Sequence, residues 1–149
     1  MWRLTVPGEP VAKVMHVHRG HAHRSPKTKK YMQLVRTLAE KTQAKDMPWD
    51  GPIALTILAY RSIPKSWSKR KRASAALGDT RPLTRGDLSN YVKGIEDALN
   101  GVAFLDDSQI VEYGAVPRDM QGGLRDNTGK YYDDGHGPRV EIIVERWRA

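Results

Sequence analysis

The chain has 149 residues, and its 25 Lys and Arg against 17 Asp and Glu give a formal net charge of +8 at pH 7. The length favours one domain with its own core, and the absence of cysteine excludes disulfides and thiolate metal sites. No run approaches the roughly 18 apolar residues of a membrane span, and the N-terminus lacks the apolar core of a signal peptide. We therefore expect a cytoplasmic protein whose excess positive charge attracts a polyanion, foremost nucleic acid.

The N-terminal half is predicted to form a strand, a loop, a helix and a second strand. Residues 2–6 alternate between apolar and polar side chains and end at a Pro-Gly pair, which is typical of a short strand and turn. Residues 13–30 are basic and histidine-rich without periodicity, so we expect an ordered or mobile loop. Within its end, Ser25-Pro26 marks the start of a helix that runs to about residue 45. The predicted apolar stripe of this helix consists of Tyr31, Leu34, Val35 and Leu38. The apolar run 53–60 suits a buried strand.

The C-terminal half is predicted to hold two helices and two strands. A short basic helix is expected after Ser66 or Ser68, ending at Gly78. Three further elements follow: a helix over residues 87–100 and strands over residues 108–116 and 139–147. Between these strands, the Gly- and Asp-rich residues 117–138 predict a flexible turn. We therefore expect residues 1–149 to form a single small α/β or α+β domain with a mixed sheet packed by helices.

The helix over residues 87–100 has the clearest periodicity and separates two faces. At about 100° per residue, its apolar residues gather on one side: Leu88, Tyr91, Val92, Ile95 and Leu99. Asn90, Lys93 and Asp97 fall on the opposite side, and Asp87 projects the same way. Asp87 has two interpretations, because aspartate is a common N-cap and its carboxylate is also a ligand for a hard metal ion. Asp97 lies about 15 Å along the axis from Asp87, which favours a structural role.

A tandem carboxylate pair, Asp106-Asp107, follows this helix just before a predicted strand. Adjacent carboxylates repel, so a buried pair needs a cation, whereas a solvated surface pair costs little. Mg²⁺ prefers carboxylate oxygens and retains waters, so Asp87 with one or both of the pair can form a metal site for phosphodiester hydrolysis. Lys93 would then offset charge that develops on the phosphate or on the leaving oxygen. From these residues alone, a metal site and a solvated pair both remain open.

Two clusters of basic residues are candidate DNA contacts. Beside Trp67, the quartet of Lys69, Arg70, Lys71 and Arg72 is expected to contact phosphates, because adjacent positive charges repel each other without an anion. The alternative is a solvated helix face. Trp67 would stack on an unpaired base or belong to the core. The second cluster lies around a predicted helix N-terminus, which itself attracts anions. Its members are Lys13, Arg19, Arg24, Lys27, Lys29 and Lys30.

Four histidines lie within the second cluster: His16, His18, His21 and His23. Their spacing is compatible with a transition-metal site. However, the chain offers no cysteine partner, and basic residues flank the run on both sides. We therefore favour a DNA-contacting loop over a metal site.

The order of these residues resembles a known family signature. The pattern D-L-S-N-x-x-K-x-x-x-D-A-L-N-G-V-x-x-x-D-D-S-Q-I is similar to that of the RusA family of Holliday junction resolvases, which are bacterial and phage endodeoxyribonucleases. The segments VPGEPVAK and PKTKKY also resemble the opening of these proteins, so the likeness covers most of the chain in the same order. It implies an α/β homodimer that uses Mg²⁺ or Mn²⁺ and cuts four-way DNA junctions symmetrically, one nick from each subunit.

The resemblance also assigns roles residue by residue. The catalytic and metal-binding roles fall on Asp87, Lys93, Asp106 and Asp107. Lys93 matches the catalytic lysine, and Asn90 matches the family's helix asparagine. Ser89 stands where the family pattern Asp-x-Asp-Asn has a second aspartate, and a hydroxyl is a weak, neutral ligand, so metal affinity should fall unless Asp106 or a water compensates.

Three functions follow from this comparison. The first is a magnesium-dependent endonuclease, with Mn²⁺ as a second metal, that resolves four-way junctions in recombination and repair. The second is a junction-binding protein that has lost cleavage through Ser89. The third is a generic metal-dependent phosphodiesterase that acts on RNA or linear duplex. The expected partners are branched DNA and a second copy of the chain, with no membrane.

Overall fold

The computed structural model describes residues 1–84, 86–114 and 127–148. Within these ranges lie three α-helices, seven strands and one 3₁₀ turn. In chain order they are β1 (Trp2–Pro7), β2 (Met15–His18), β3 (His21–Arg24), α1 (Pro26–Thr42), β4 (Ile53–Arg61), α2 (Lys69–Leu77), α3 (Leu88–Leu99), the 3₁₀ turn (Asp107–Gln109), β5 (Ile110–Tyr113), β6 (Gly129–Tyr132) and β7 (Arg139–Arg146). Each predicted helix and strand has a counterpart, but residues 108–109 of the strand predicted over 108–116 belong to the 3₁₀ turn instead. The prediction of a small α+β domain with a mixed sheet is confirmed.

A five-stranded mixed sheet forms the centre of the fold. β7 lies between β1 and β4 and is antiparallel to both. The other edge of β4 pairs with two strands in turn: β5 pairs with residues 53–55 and β6 with residues 58–61, and both are parallel to β4. Residues 53–60 of β4 are all buried, as expected for a central strand covered on both faces. α1 and α3 join residues of β1, β4 and β7 in one buried apolar cluster.

α1 begins where the sequence predicts but buries a different stripe. Ser25 is its N-cap, and the helix ends at Thr42 rather than near residue 45. Leu34 is 41% exposed, so its assignment to the apolar stripe is wrong. It lies about 100° around the helix from Val35, away from the buried side. The buried residues of α1 are Thr28, Tyr31, Met32, Val35 and Ala39.

The histidine-rich segment forms a β-hairpin, so the prediction of a loop over residues 13–30 is wrong. β2 and β3 pair across the two-residue turn Arg19-Gly20, whose φ angles of 51° and 78° suit a type I′ turn. The register sets histidines opposite one another in two pairs, His16 with His23 and His18 with His21. Because directly opposite residues share a side, all four imidazoles lie on one face, called here the histidine face. Every residue of both strands is exposed, so the alternation of Met15 and Val17 with histidines does not correspond to a buried face.

The stretch predicted as a flexible turn, residues 117–138, contains a strand, and that part of the prediction is wrong. β6 pairs with residues 58–61 of β4, and Tyr131 and Tyr132 are buried. Their short Gly- and Asp-rich context carries too little alternation to predict a strand. Residues 117–126 of this stretch, and residues 115–116 of the predicted strand 108–116, lie outside the described residues. None of the helices in the described ranges has the length and apolar character needed to cross a membrane.

Candidate active site

α3 presents the polar ridge that the sequence predicts. Tyr91, Val92, Ile95 and Leu99 are buried, and Leu88 packs against the same cluster. Asn90 and Lys93 are exposed on the other side, and Asp97 is partly buried. The helix is thus fixed by its apolar face, and its polar ridge is held at a defined orientation toward solvent.

Asp87 occupies the N-cap position of α3, yet among the described residues its carboxylate makes no capping hydrogen bond. The capping role is therefore not the one that the structure shows. Asp87 lines a groove of about 380 Å³ together with Lys27, Arg61 and Asn90. The preceding Gly86 has a φ of +102°, and a side chain there would meet the Tyr91 ring. Glycine at this position thus sets the direction in which the chain presents Asp87.

The tandem aspartates divide their roles. Asp106 caps the 3₁₀ turn: its Oδ2 accepts the Ser108 N–H at 3.1 Å, and Gln109 Oε1 accepts the Asp106 N–H at 2.8 Å. The hydrogen bond from Ser108 holds the pKa of the exposed Asp106 carboxyl below its usual value. Asp107, the next residue, points to α3, where its Oδ2 accepts a hydrogen bond from Lys93 Nζ. The carboxylate repulsion expected of the pair is relieved because each group has its own donor.

Lys93 lies between two carboxylates. Besides Asp107, its Nζ lies 3.3 Å from Asp97 Oδ1. The hydrogen bond to Asp107 is the largest cause that raises the pKa of Lys93; desolvation opposes it, and the hydrogen bond and charge of Asp97 add to the rise. Lys93 therefore stays protonated and can act as a charge stabiliser but not as a base.

Asp97 belongs to this charged cluster, so its interpretation as a merely structural residue is incomplete. Its Oδ2 accepts a hydrogen bond from Lys13 Nζ at 2.7 Å, and Arg24 Nη2 lies 4.0 Å from the same oxygen. Burial by itself would raise the pKa of Asp97, but the hydrogen bonds from Lys13 and Lys93 lower it below its usual value. Lys13 and Arg24, predicted as DNA contacts, therefore lie beside the lysine of the site.

Glu96 is a buried acid that the sequence interpretation missed. It is 6% exposed, and its Oε1 accepts a hydrogen bond from the Tyr113 hydroxyl. Burial raises the pKa of Glu96, and burial together with this hydrogen bond raises the pKa of Tyr113 to about 12. The sequence does contain a signal for this burial. Glu96 lies four residues after Val92 and three before Leu99, so it shares their apolar face of α3. With Ser89 and Lys93, Glu96 and Tyr113 line a pocket of about 530 Å³.

A hydrated magnesium ion would need fewer protein ligands here than a closed protein cage. In the part of the chain that the structure describes, no three His, Asp or Glu side chains are arranged to hold a metal ion by themselves. Asp106 is engaged as a cap, which leaves the carboxylates of Asp87 and Asp107 as the oxygen donors of the predicted set. Mg²⁺ is commonly bound through one or two carboxylates, with waters and substrate phosphates completing its shell.

Comparison with known proteins decides the family. A family model described as endodeoxyribonuclease RusA matches residues 7–145. The chain belongs to the RusA family. The Bacillus subtilis (strain 168) protein named "Uncharacterized protein YqaN" is 34% identical over 153 residues, covering 99% of this chain and 97% of its own length.

The basic residues predicted as DNA contacts form two exposed surfaces on this RusA family chain. The basic quartet of residues 69–72, called here the α2 quartet, occupies the first turn of α2 after its N-cap Ser68, and all four residues are exposed. Lys71 Nζ lies 3.9 Å above the Trp67 ring, whose edge meets Tyr132 at a centroid distance of 5.1 Å. Trp67 is therefore only partly buried, and Lys71 already covers one face of the ring on which a base would stack. The second surface comprises the hairpin tip and the start of α1: Arg19, Arg24, Lys27, Lys29 and Lys30 are exposed on it.

Proposed function

We propose that the protein is a divalent-metal-dependent, structure-selective DNA endonuclease that acts on four-way junctions. The observation that carries the proposal is the contact of Lys93 Nζ with Asp107 Oδ2, which joins a cation to a carboxylate on a strongly basic chain. Membership of a family of endodeoxyribonucleases supports the same activity. Two symmetric nicks in one junction need two active sites, so we also propose that the working form is a homodimer.

In the proposed mechanism, Asp87 and Asp107 hold the metal ion, and Asp106 keeps the loop of Asp107 in place. Mg²⁺ or Mn²⁺ would polarise the phosphoryl group and lower the pKa of a bound water. In the hydrolysis itself, a water oxygen would bond to phosphorus and one P–O ester bond would break; the water would give up a proton to solvent, and the leaving oxygen would take one up. Lys93, which stays charged, stabilises the negative charge that develops on the phosphate. The side chain of Asn90, between the grooves that hold Asp87 and Lys93, is available to orient the substrate.

Branched DNA as substrate is supported by the distribution of charge. Residues 10–39 contain seven Lys and Arg and no Asp or Glu. Lys13 and Arg24, through Asp97, connect this segment to the site. The α2 quartet adds a second exposed set of cations. Phosphates bound on both surfaces would hold two duplex arms of a junction around α3.

A cleavage assay on a synthetic four-way junction tests the proposal. Symmetric nicks are expected with Mg²⁺ or Mn²⁺ and none with EDTA. Asp107→Asn should bind the junction as the unaltered protein does but leave it intact, while Glu40→Gln, which alters a surface ion pair with Arg36 on α1, should cut normally. Equal cutting of linear duplex or RNA would contradict junction selectivity, and an active Asp107→Asn variant would remove Asp107 from the mechanism.

A second candidate, a junction-binding protein without cleavage, is favoured by Ser89. This residue is exposed in the first turn of α3 and lines the same pocket as Lys93, so the pocket has a hydroxyl at the position where the resembled pattern has a second carboxylate. Ser89→Asp separates the two functions. If the second candidate holds, the unaltered protein binds junctions without nicking them under either metal, and the variant gains cleavage.

A further inference from the structure

We infer that Asp97 is a positioning residue that retains the Lys93 ammonium beside the site when a divalent ion takes over Asp107. The inference rests on the proposed metal site and concerns a residue outside the proposed ligand set. Lys93 shares its ammonium group between Asp97 and Asp107, and Asp97 is the more buried of the two carboxylates.

The first step is competition for Asp107. Lys93 Nζ donates a hydrogen bond to Asp107 Oδ2 and lies 3.3 Å from Asp97 Oδ1. An ammonium group has three N–H donors, so it serves both carboxylates at once. A metal ion bound by Asp107 competes with Lys93 for the charge of this carboxylate, and the two cations repel each other at such close range. Metal binding therefore favours the movement of Lys93 away from Asp107.

The second step is that Asp97 is fixed in place. Its side chain is 13% exposed, compared with 24% for Asp107, and its other oxygen is bound by Lys13 Nζ at 2.7 Å. Lys13 is itself held against α3, because its N–H donates to the Asn90 carbonyl at 3.0 Å and its Cβ packs against Gly94. Asp97 is thus a fixed counter-ion, whereas Asp107 lies at the more open side of the cluster.

These two steps give Asp97 a defined effect on metal binding. With Asp97 present, Lys93 released from Asp107 keeps a carboxylate partner and remains near the phosphate. Without the Asp97 charge, Asp107 is the one carboxylate that Lys93 still contacts in the described part of the site. The metal then competes with Lys93 for that carboxylate. The loss of Asp97 should therefore weaken metal binding, and it should do so through Lys93.

A Mn²⁺ titration without DNA tests this coupling on the full chain, by calorimetry or by the EPR signal of free Mn²⁺. The variants are Lys93→Met, Asp97→Asn and the double variant, with Glu40→Gln as the control from a remote ion pair. For ion pairs of this exposure we expect Lys93→Met to tighten Mn²⁺ binding about fivefold and Asp97→Asn to weaken it about fivefold. In the Lys93→Met background, Asp97→Asn should change affinity by less than about twofold.

The outcomes separate the inference from its alternatives. An equal effect of Asp97→Asn in both backgrounds would mean that Asp97 acts on the metal through its own charge, and the inference fails. Asp97→Glu keeps the carboxylate and should bind Mn²⁺ like the unaltered protein; if it binds as weakly as Asp97→Asn, the inference also fails. Absence of Mn²⁺ binding by the unaltered protein would overturn the proposed metal site together with the inference, whereas binding that is indifferent to Lys93 overturns the inference alone.

Discussion

Gln109 fixes the loop that carries Asp107, and its replacement by alanine is predicted to lower stability and activity together. Its Oε1 accepts the Asp106 N–H at 2.8 Å, and its Nε2 donates to the Trp49 carbonyl at 3.0 Å and the Gly51 carbonyl at 2.8 Å. Three hydrogen bonds at roughly 0.5–1.5 kcal/mol each, taken toward the low end for a partly exposed side chain, predict a loss of about 2 kcal/mol in the free energy of unfolding. At roughly 2–4 °C per kcal/mol for a chain of this size, the melting temperature should fall by about 4–8 °C.

Thermal and urea unfolding measure the effect, with Gln33→Ala as the matched control. The Gln33 amide makes a hydrogen bond only to the exposed Thr37 hydroxyl among the described residues, so its loss should stay within about 0.5 kcal/mol. Junction cleavage by Gln109→Ala should also fall by about tenfold or more, because Asp107 is no longer held in position. A Gln109→Ala variant as stable as Gln33→Ala would refute the reasoning.

Two further predictions concern pH and salt. Burial raises the pKa of Glu96, so the folded state holds this proton more tightly than the unfolded state and stability falls as pH rises above about 4.5. Glu96→Gln should therefore melt higher than the unaltered protein at pH 7 and lose that advantage toward pH 4; a pH-independent difference would contradict this. Replacing the α2 quartet with glutamines should reduce the salt dependence of junction binding by about 0.9 in log–log slope per lost phosphate contact, whereas Arg3→Gln on β1 should leave the slope unchanged.

The fold could be predicted wherever one face of an element is buried. α3 alternates its apolar residues at helical spacing, and Ser25 with Pro26 marks the start of α1, so both helices follow from local pattern. β2 and β3 have two exposed faces, and their pairing depends on a turn, Arg19-Gly20, without the usual asparagine. β6 is ordered by its pairing with β4, which is a long-range contact that local sequence does not encode.

The site could be predicted in its composition but not in its division of roles. Asp106 and Gln109 have the Asp-x-x-Gln spacing of a capping box, a local signal for the cap that the structure shows, whereas the sequence prediction placed Asp106 in the metal site. Asp97 could not be assigned in this way. Its partner Lys13 lies 84 positions away in the chain, and Lys93 reaches it with a long, flexible side chain. The 15 Å separation of Asp97 from Asp87 along the helix axis therefore does not indicate that Asp97 lies beside Lys93.

The most direct test of the central claim is single-turnover cleavage of a four-way junction at saturating protein, with Mn²⁺ and with Mg²⁺. The account predicts paired nicks by the unaltered chain and by Glu40→Gln, and a bound but uncut junction with Asp107→Asn. A junction that is bound and left uncut by the unaltered chain under both metals would contradict the claim that this site hydrolyses DNA.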